Sequence, residues 1–471
     1  MNTTVRRELR ELALLAGPIV AMQLGQISNG FIDVLMVGRL GSDALAAVAL
    51  GNATFFLFLL ICLGAVVAVS PMVSQACGAG DNDPVGRTVR SGLQFGLFLS
   101  IPVFVLLSNA ELAWRLMRQD ADTIALGQAY LRAVVWGFLP YLWFIALRSF
   151  LEAVSRPWPV TYMILVGVGL NVFANWTLMF GKLGFPALGV VGTGWATTIV
   201  NWFLVLVITV YVVTRRRFRA FHLFRDVWKP DFSYLRELVR IGVPIGVSYG
   251  IEVALFAATA FLAGTLGPTP LAAHQVAIQC AAVTFMVPLG IGIASSVRVG
   301  RAVGRRDPEA ARWAGYLGIL MSAVFMLATA TLFWTVPRPI VSLFLDLSDP
   351  VNADAAALAV GLLGIAALFQ MFDGIQVSAA GALRGLKDTR GPMLICLVSY
   401  WFIGFPTSLI LGYSLDWGTR GFWWGLVVGL LAASVFLGRR FRRRVRNVSL
   451  DTYPARPAAI TDSSPPHGNT V

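Results

Sequence analysis

Apolar residues run along this chain in long blocks, separated by short breaks that are polar and often basic. Blocks lie near residues 12–37, 46–70, 92–109, 123–147, 160–180, 190–213, 240–263, 271–297, 313–335, 354–382, 392–412 and 421–438. Each, as a helix, is long enough to cross a hydrocarbon layer of about 30 Å. The pattern predicts an all-α integral membrane protein with twelve transmembrane helices. The first block is too long for a signal peptide and no Ala-x-Ala site follows it, so it is expected to stay as the first span.

Composition agrees. The 471 residues are 57% hydrophobic and 13% charged, and the mean hydropathy is +0.73. A soluble chain of this length needs more charge to cover its surface. Four cysteines (Cys62, Cys77, Cys280 and Cys396) are scattered, mostly inside apolar blocks, without ligand or disulfide spacing. They read as small packing residues.

The net charge of +13 would suggest nucleic acid in a soluble protein. Here the basic residues sit between apolar blocks, so they speak of topology instead. With the amino terminus inside, the even-numbered gaps and the two ends hold most of the 37 Lys and Arg. The runs TRRRFR (Thr214 to Arg219) and RRFRRR (Arg439 to Arg444) dominate. This asymmetry predicts a multi-pass protein of the cell (inner) membrane with both termini cytoplasmic. Because the runs abut spans, the expected partners are anionic membrane lipids and not nucleic acid. The tail after about Val445, rich in Pro, Ser and small residues, is expected to be disordered.

A shift of 226 residues superimposes the two halves without a gap from Glu11 to Asp81. Glu11-Leu12 meets Glu237-Leu238, Pro18 meets Pro244, and Gly38, Leu40 and Gly41 meet Gly264, Leu266 and Gly267. Leu63-Gly64 meets Leu289-Gly290, and Ser70, Gly78 and Asp81 meet Ser296, Gly304 and Asp307. With a small slip, Gly189, Gly192 and Trp195 meet Gly418, Gly421 and Trp424. Shared hydrophobicity cannot produce a matched Gly, Pro and Asp pattern. The chain reads as two pseudo-symmetric six-helix bundles: a lobe at 1–213, a linker at 214–239, a lobe at 240–440 and a basic, then disordered tail at 441–471. Six is even, so both copies enter the membrane in one orientation, related by an axis along its normal. Such pairs suit alternating access to a site between or within the lobes.

Three carboxylates interrupt the apolar blocks: Asp33, Glu252 and Asp373. A carboxylate at mid-bilayer costs about 2.5–3.5 kcal/mol on insertion scales, so each needs a reason. Glu252 lies about 17 Å along its helix from Ile241, near the midplane. Asp373 is similarly deep, whereas Asp33 lies towards the outer end of its span. Desolvation favours the neutral acid and a nearby cation favours the carboxylate. A buried acid can therefore give up a proton when a cation arrives and recover it when the cation leaves. Two acids in one cavity also provide hard oxygen ligands suited to Na⁺ at Glu252 and Asp373. The bland reading of each is a structural carboxylate bonded to a neighbouring helix.

The halves differ at these positions, because Gln26 aligns with Glu252 and Asp33 with Thr259. Candidate neutral residues for the cavity wall are Gln26, Asn171 and Asn175 on one face of span five, Gln275 and Gln279 on one face of span eight, and Gln376 near Asp373. Interhelical hydrogen bonding is the ordinary use of each. His274, beside an outer loop, reads as a packing residue. Aromatic side chains can hold flat cations on their ring faces, though sequence does not choose among them.

No G-x-x-x-x-G-K-[ST] loop, H-E-x-x-H motif, nucleophile elbow or Cys/His metal spacing is present. The expectation is a transporter driven by an ion gradient, with no enzyme activity and no cofactor beyond the coupling ion. An ion channel is disfavoured, since no filter loop is recognisable.

GPIVAMQLGQISNGFIDVLMVGRLG in the first span, SPMVSQACGAGD after the second and DGIQVSAAGALRGLKDTRGPM from mid span ten resemble the multidrug and toxic compound extrusion (MATE) family, in its NorM-type branch. The resemblance covers about residues 8–440. It implies a V-shaped, two-lobed, monomeric exporter exchanging cationic drugs for Na⁺ or H⁺. Glu252 matches the family's span-seven acid, Asp373 its span-ten acid, and Asp33 the span-one acid of the branch. Two departures bear on the ion. Phe369 stands where some NorM-type proteins have a Tyr, which removes a hydroxyl ligand. Asn171-x-x-x-Asn175 replaces an N-x-x-x-D pattern, which argues against an amino-lobe proton site of that type. The choice of Na⁺ or H⁺ stays open. The alternative is a flippase-type exporter of a lipid-linked or other endogenous metabolite. An anionic headgroup would call for basic residues in the cavity, and the spans carry acids instead.

Overall fold

A computed structural model of the chain describes residues 3–225 and 227–446, and the tail expected to be disordered beyond 446 lies outside them. Twelve helices are long and apolar enough to cross a membrane. They are α1 (Thr4–Gly38), α2 (Ser42–Ala79), α3 (Asp83–Ser108), α4 (Ala121–Ala153), α5 (Trp158–Phe180) and α6 (Val190–Thr214). The second set is α7 (Phe232–Thr265), α8 (Pro268–Gly304), α9 (Pro308–Thr335), α10 (Pro350–Gly385), α11 (Arg390–Ser414) and α12 (Gly418–Arg446). No strand occurs among the described residues.

The repeat is repeated in backbone conformation. Gly41 and Gly267, each ahead of the second helix of its half, have φ of 111° and 115°, a region that residues with a Cβ avoid. Asp81 caps α3 by accepting from the Asp83 amide, and Asp307 caps α9 by accepting from the Ala310 amide. Gly189 and Gly418, ahead of the last helix of each half, both have φ of 55°.

Proline explains two helix breaks. A helical Pro removes one amide donor and presses its ring on the carbonyl four residues back. In α2, Pro71 follows a turn at Ala68. In α4, Pro140 follows a 3₁₀ turn at Val135–Gly137. Trp136 O, four residues before Pro140, accepts from Trp202 Nε1 of α6 (3.2 Å), and beside it Thr198 Oγ1 donates to Ala133 O (2.8 Å) and Asn201 Nδ2 to Gly137 O (3.2 Å).

Two buried apolar clusters fill the molecule. The larger is built from α1–α6 and continues through Ile241, Ile245, Ile291 and Val297 of α7 and α8. The other is confined to residues 255–445. Where the first meets the second half, helices touch through glycine. A Cβ on Gly64 would collide with the backbone of Gly246, and one on Gly242 with Ala65.

Several helices outrun the apolar blocks that announced them. The blocks suggested ends near 147, 297, 382 and 438, but α4 continues to Ala153, α8 to Gly304, α10 to Gly385 and α12 to Arg446. Arg and Glu are good helix formers, so a charge ends an apolar block without ending a helix. Arg148, Arg298 and Arg384, assigned to loops by the charge count, are helical and inside the protein's interfaces. The basic stretch at 441–446 likewise belongs to α12, not to a separate tail. The linker narrows in the same way, since α7 starts at Phe232.

Candidate functional site

A cavity of about 330 Å³ opens between the two halves. Its amino-half wall includes Gln23 and Gln26 of α1 and Tyr141, Arg148 and Glu152 of α4. The opposite wall includes Tyr249, Glu252 and Phe256 of α7 and Gln376, Arg384 and Cys396 of α10 and α11. Leu60, Leu63, Phe285 and Leu289 supply apolar surface.

Each wall is organised by an arginine. Arg148 Nε meets Glu152 Oε1 at 2.7 Å, one turn along the same helix, and its Nη1 donates to Gln26 Oε1 at 2.9 Å. Both members of this ion pair are buried, with side-chain exposures of 7% and 4%. Across the cavity, Arg384 Nη1 donates to the Tyr249 hydroxyl (2.8 Å), and its guanidinium lies 5.4 Å from that ring's centre. No carboxylate of the described residues pairs with Arg384, so its charge faces the same space as Glu252. The expectation that the cavity would hold acids and no basic residues is therefore corrected. Both arginines were hidden because they stand just past the apolar blocks of spans four and ten.

Asp373 is buried but is not on the cavity wall. It sits one turn along α10 from Gln376, which is. Asp373 Oδ1 and Gln376 Oε1 are both enclosed by protein without a hydrogen-bond donor. Gln376 Nε2 donates to the Tyr400 hydroxyl at 2.7 Å, which fixes the amide so that its oxygen points elsewhere. Unpaired acceptor oxygens at adjacent turns, beside Glu252, are a donor set suited to a cation. Among the described residues no three His, Cys, Asp or Glu side chains converge as a metal group. A Na⁺ here would rest on two carboxylates and neutral oxygens.

The three acids do not form one site. Asp33 belongs to a cluster within the amino half, where Asn175 Nδ2 donates to Asp33 Oδ1 (2.7 Å) and to Asn171 Oδ1 (3.2 Å). Asn171 and Asn175, expected on the cavity wall, hold this acid instead. Gln275 and Gln279 are exposed and also lie off the cavity wall. Their i,i+4 spacing defines a face of α8, but they stand before the stretch from Phe285 to Ser296 that lines the cavity. Phe369 is not on the wall either. It is buried against Phe256 and Trp423, with ring centres 6.0 and 5.4 Å apart. Of the neutral candidates, Gln26 and Gln376 line the cavity. His274 is buried with its ring 5.8 Å from that of Trp423. The four cysteines are free thiols.

Below the cavity, on the face where the described chain begins and ends, the halves are fastened together. Arg298 of α8 forms a forked pair with Glu8 of α1, Nη2 to Oε2 at 2.7 Å and Nε to Oε2 at 3.1 Å. Gly78 packs on the Arg301 backbone and Gly304 on the Gln75 backbone, a reciprocal pair related by the repeat. The two partner residues also match: Gln75 Nε2 donates to Gly385 O (2.8 Å) at the end of α10, and Arg301 Nε to Ala153 O (3.0 Å) at the end of α4.

Two helical halves joined at one face, with a charged cavity at their seam, define a paired-lobe membrane protein of the kind built for alternating access. The chain belongs to the MatE family, whose profile matches residues 18–177 and 244–410, one segment in each half. It is 39% identical over 445 residues to a probable multidrug resistance protein NorM of Brucella suis biovar 1, covering 94% of both chains. It is 37% identical over 460 residues to a protein of the same description from Synechococcus, covering 96% of this chain and 99% of that one. Among solved structures it resembles an outward-facing multidrug resistance MATE family transporter of the MOP superfamily, with a TM-score of 0.85 at 19% identity over 95% of this chain and 99% of that one. It also resembles the eukaryotic MATE transporter AtDTX14, with a TM-score of 0.83 at 21% identity over 94% and 99%. Likeness at such identities speaks to the fold.

Proposed function

We propose that this protein is a secondary active multidrug exporter of the cell membrane, with both termini cytoplasmic, that exchanges cationic lipophilic compounds for Na⁺ or H⁺. The observation that carries the reading is a pair of enclosed, unpaired oxygens, one on Gln376, which with Glu252 lines the cavity between the two lobes, and one on Asp373, buried a turn away along α10. An acceptor without a donor in a low-dielectric interior is costly to leave alone. A proton or Na⁺ satisfies it in one state, and an organic cation competes for the same negative charge in another. In this reading residues 1–213 and 240–440 move as lobes about the linker, and the Arg298–Glu8 seam closes the cytoplasmic side. The NorM description of the relatives at 37–39% identity supports it.

In cells lacking their major pumps, expression should lower ethidium accumulation, and Glu252→Gln and Asp373→Asn should each return it to the empty-vector level. Unchanged accumulation with wild type across several cations would defeat the substrate assignment. Reconstituted vesicles given a Na⁺ jump at constant pH, or a pH jump without Na⁺, separate the two ions. A second reading, export of a lipid-linked or other endogenous metabolite, gains from Arg384, whose guanidinium has no carboxylate in an ion pair among the described residues and suits an anionic substituent. Loss of transport of anionic but not of permanently cationic compounds in Arg384→Gln would favour it.

A further inference from the structure

The end of α12 carries a second, unrelated concentration of charge. Arg439, Arg440, Arg443 and Arg444 recur at the spacing that puts side chains on one helix face, and that face meets the turn between α10 and α11. There, Asp388 takes Arg440 in a two-bonded clamp (2.7 and 3.0 Å) and Arg444 at 3.0 Å. Gly391 makes room for this, because a Cβ at that position would overlap the Arg440 guanidinium. The arginines are thus seated by the fold and not merely attached to it.

Two cavities share Arg440 and Arg444 as a common wall. One, of about 480 Å³, is bounded by Glu237 and Arg240 of α7, by Lys387 and Asp388 of the turn, by Arg390 at the start of α11, and by the two arginines. The other, of about 580 Å³, adds Arg439 and Arg443 over a floor of Ile395 and Phe436. Glu237 is engaged by Lys387 at 2.8 Å, and Asp388 by two guanidiniums. Among the described residues Arg240, Arg390, Arg439 and Arg443 make no ion pair. The acids present are already committed, and the surplus is positive.

We propose that these adjoining cavities bind the headgroup of an anionic phospholipid, and that their shared arginine wall fits a headgroup with two phosphates on a short linker, one in each cavity. The apolar floor decides between a lipid and a soluble phosphate compound. Phe436 and Leu394 are exposed at 39% and 54% at the membrane ends of α12 and α11, where acyl chains would lie. Basic pockets between helix ends are suited to such headgroups. The site touches the ends of α7 and α10, the helices that carry Glu252 and Asp373, so an occupied site would tie those ends to α12.

The test uses the full-length protein in nonionic detergent, titrated with cardiolipin, phosphatidylglycerol or phosphatidylcholine in the micelles, or with inorganic pyrophosphate alone. Cardiolipin should bind at least tenfold more tightly than phosphatidylcholine. The double variant Arg439→Gln/Arg443→Gln, which breaks no ion pair, should weaken cardiolipin binding roughly 30-fold, at about a kcal/mol for each charge. Asp388→Asn, which releases Arg440 and Arg444, should tighten it several-fold, a gain that misfolding cannot imitate. Equal binding of phosphatidylcholine, or no change in either variant, overturns the site. Pyrophosphate bound as tightly as cardiolipin overturns the lipid in favour of a soluble phosphate. Phosphatidylglycerol bound as tightly as cardiolipin overturns the two-phosphate fit.

Discussion

Arg298 and Glu8 lie 290 residues apart and form a forked ion pair in which neither side chain exceeds 5% exposure. The pair joins α8 to α1, hence one half of the molecule to the other. Its counterpart by the repeat is missing, since Met72 aligns with Arg298.

Removing one partner leaves a dehydrated charge. Arg298→Ala should cost about 3–5 kcal/mol, read as a lower thermal midpoint of the detergent-solubilised protein. Replacing both charges, Glu8→Gln with Arg298→Gln, should recover most of the loss. A double variant as unstable as the single one would show that the charge pairing is not the source.

Glu152 is the counter-charge of Arg148 at the cavity wall. Glu152→Gln leaves an uncompensated positive charge facing the cavity. At about 10 Å and an effective dielectric near 20, repulsion of a monovalent cation is about 2 kcal/mol. The apparent affinity for ethidium should fall by roughly tenfold or more. Arg148→Met added to Glu152→Gln should restore it, and a failure to restore would point to lost packing instead.

Gly64 and Gly30 are both helical glycines, but only one is hemmed in. Gly64→Ala places a methyl in the Gly246 backbone, whereas nothing lies within 4 Å of a Cβ at Gly30. Gly64→Ala should lower the melting temperature and abolish export. Gly30→Ala should be neutral or stabilise by about 0.5–1 kcal/mol. Comparable melting of the two proteins would mean that the α2–α7 approach is not fixed by glycine.

Asp33 with Asn175 and Gln376 with Tyr400 are separate hydrogen-bonded groups with no shared partner. Asn175→Ala and Gln376→Leu should therefore add in their effects on stability to within about 0.5 kcal/mol. A larger interaction, measured by a double-mutant cycle in denaturant, would reveal coupling between the amino-half acid and the α10 cluster.

Span number and duplication were legible because each rests on a local signal: block length, and matched Gly, Pro and Asp. Arg148, Glu152, Arg298 and Arg384 were not. They stand at the ends of apolar blocks, where a residue in water and a residue in an interface look alike. What separates them is the partner, and Glu8 is 290 residues from Arg298. The same limit explains Asn171 and Asn175. Their spacing gave a shared face, but which neighbour that face meets depends on how α1 packs on α5. Gln275 and Gln279 differ from the expectation for another reason: a shared face does not say at which height along α8 the cavity meets it, and the lining begins at Phe285.

The bonds from α6 to the break in α4 carry a mechanical consequence. Thr198, Asn201 and Trp202 of α6, spread over little more than one turn, hold Ala133, Gly137 and Trp136 of α4. Sliding or twisting either helix against the other would strand peptide oxygens in a medium that offers no substitute donor. These two rods are riveted, and whatever the amino half does during a cycle it does with them as one piece. Displacement has to be absorbed where contact is by shape alone, as between the glycine backbones of α2 and α7.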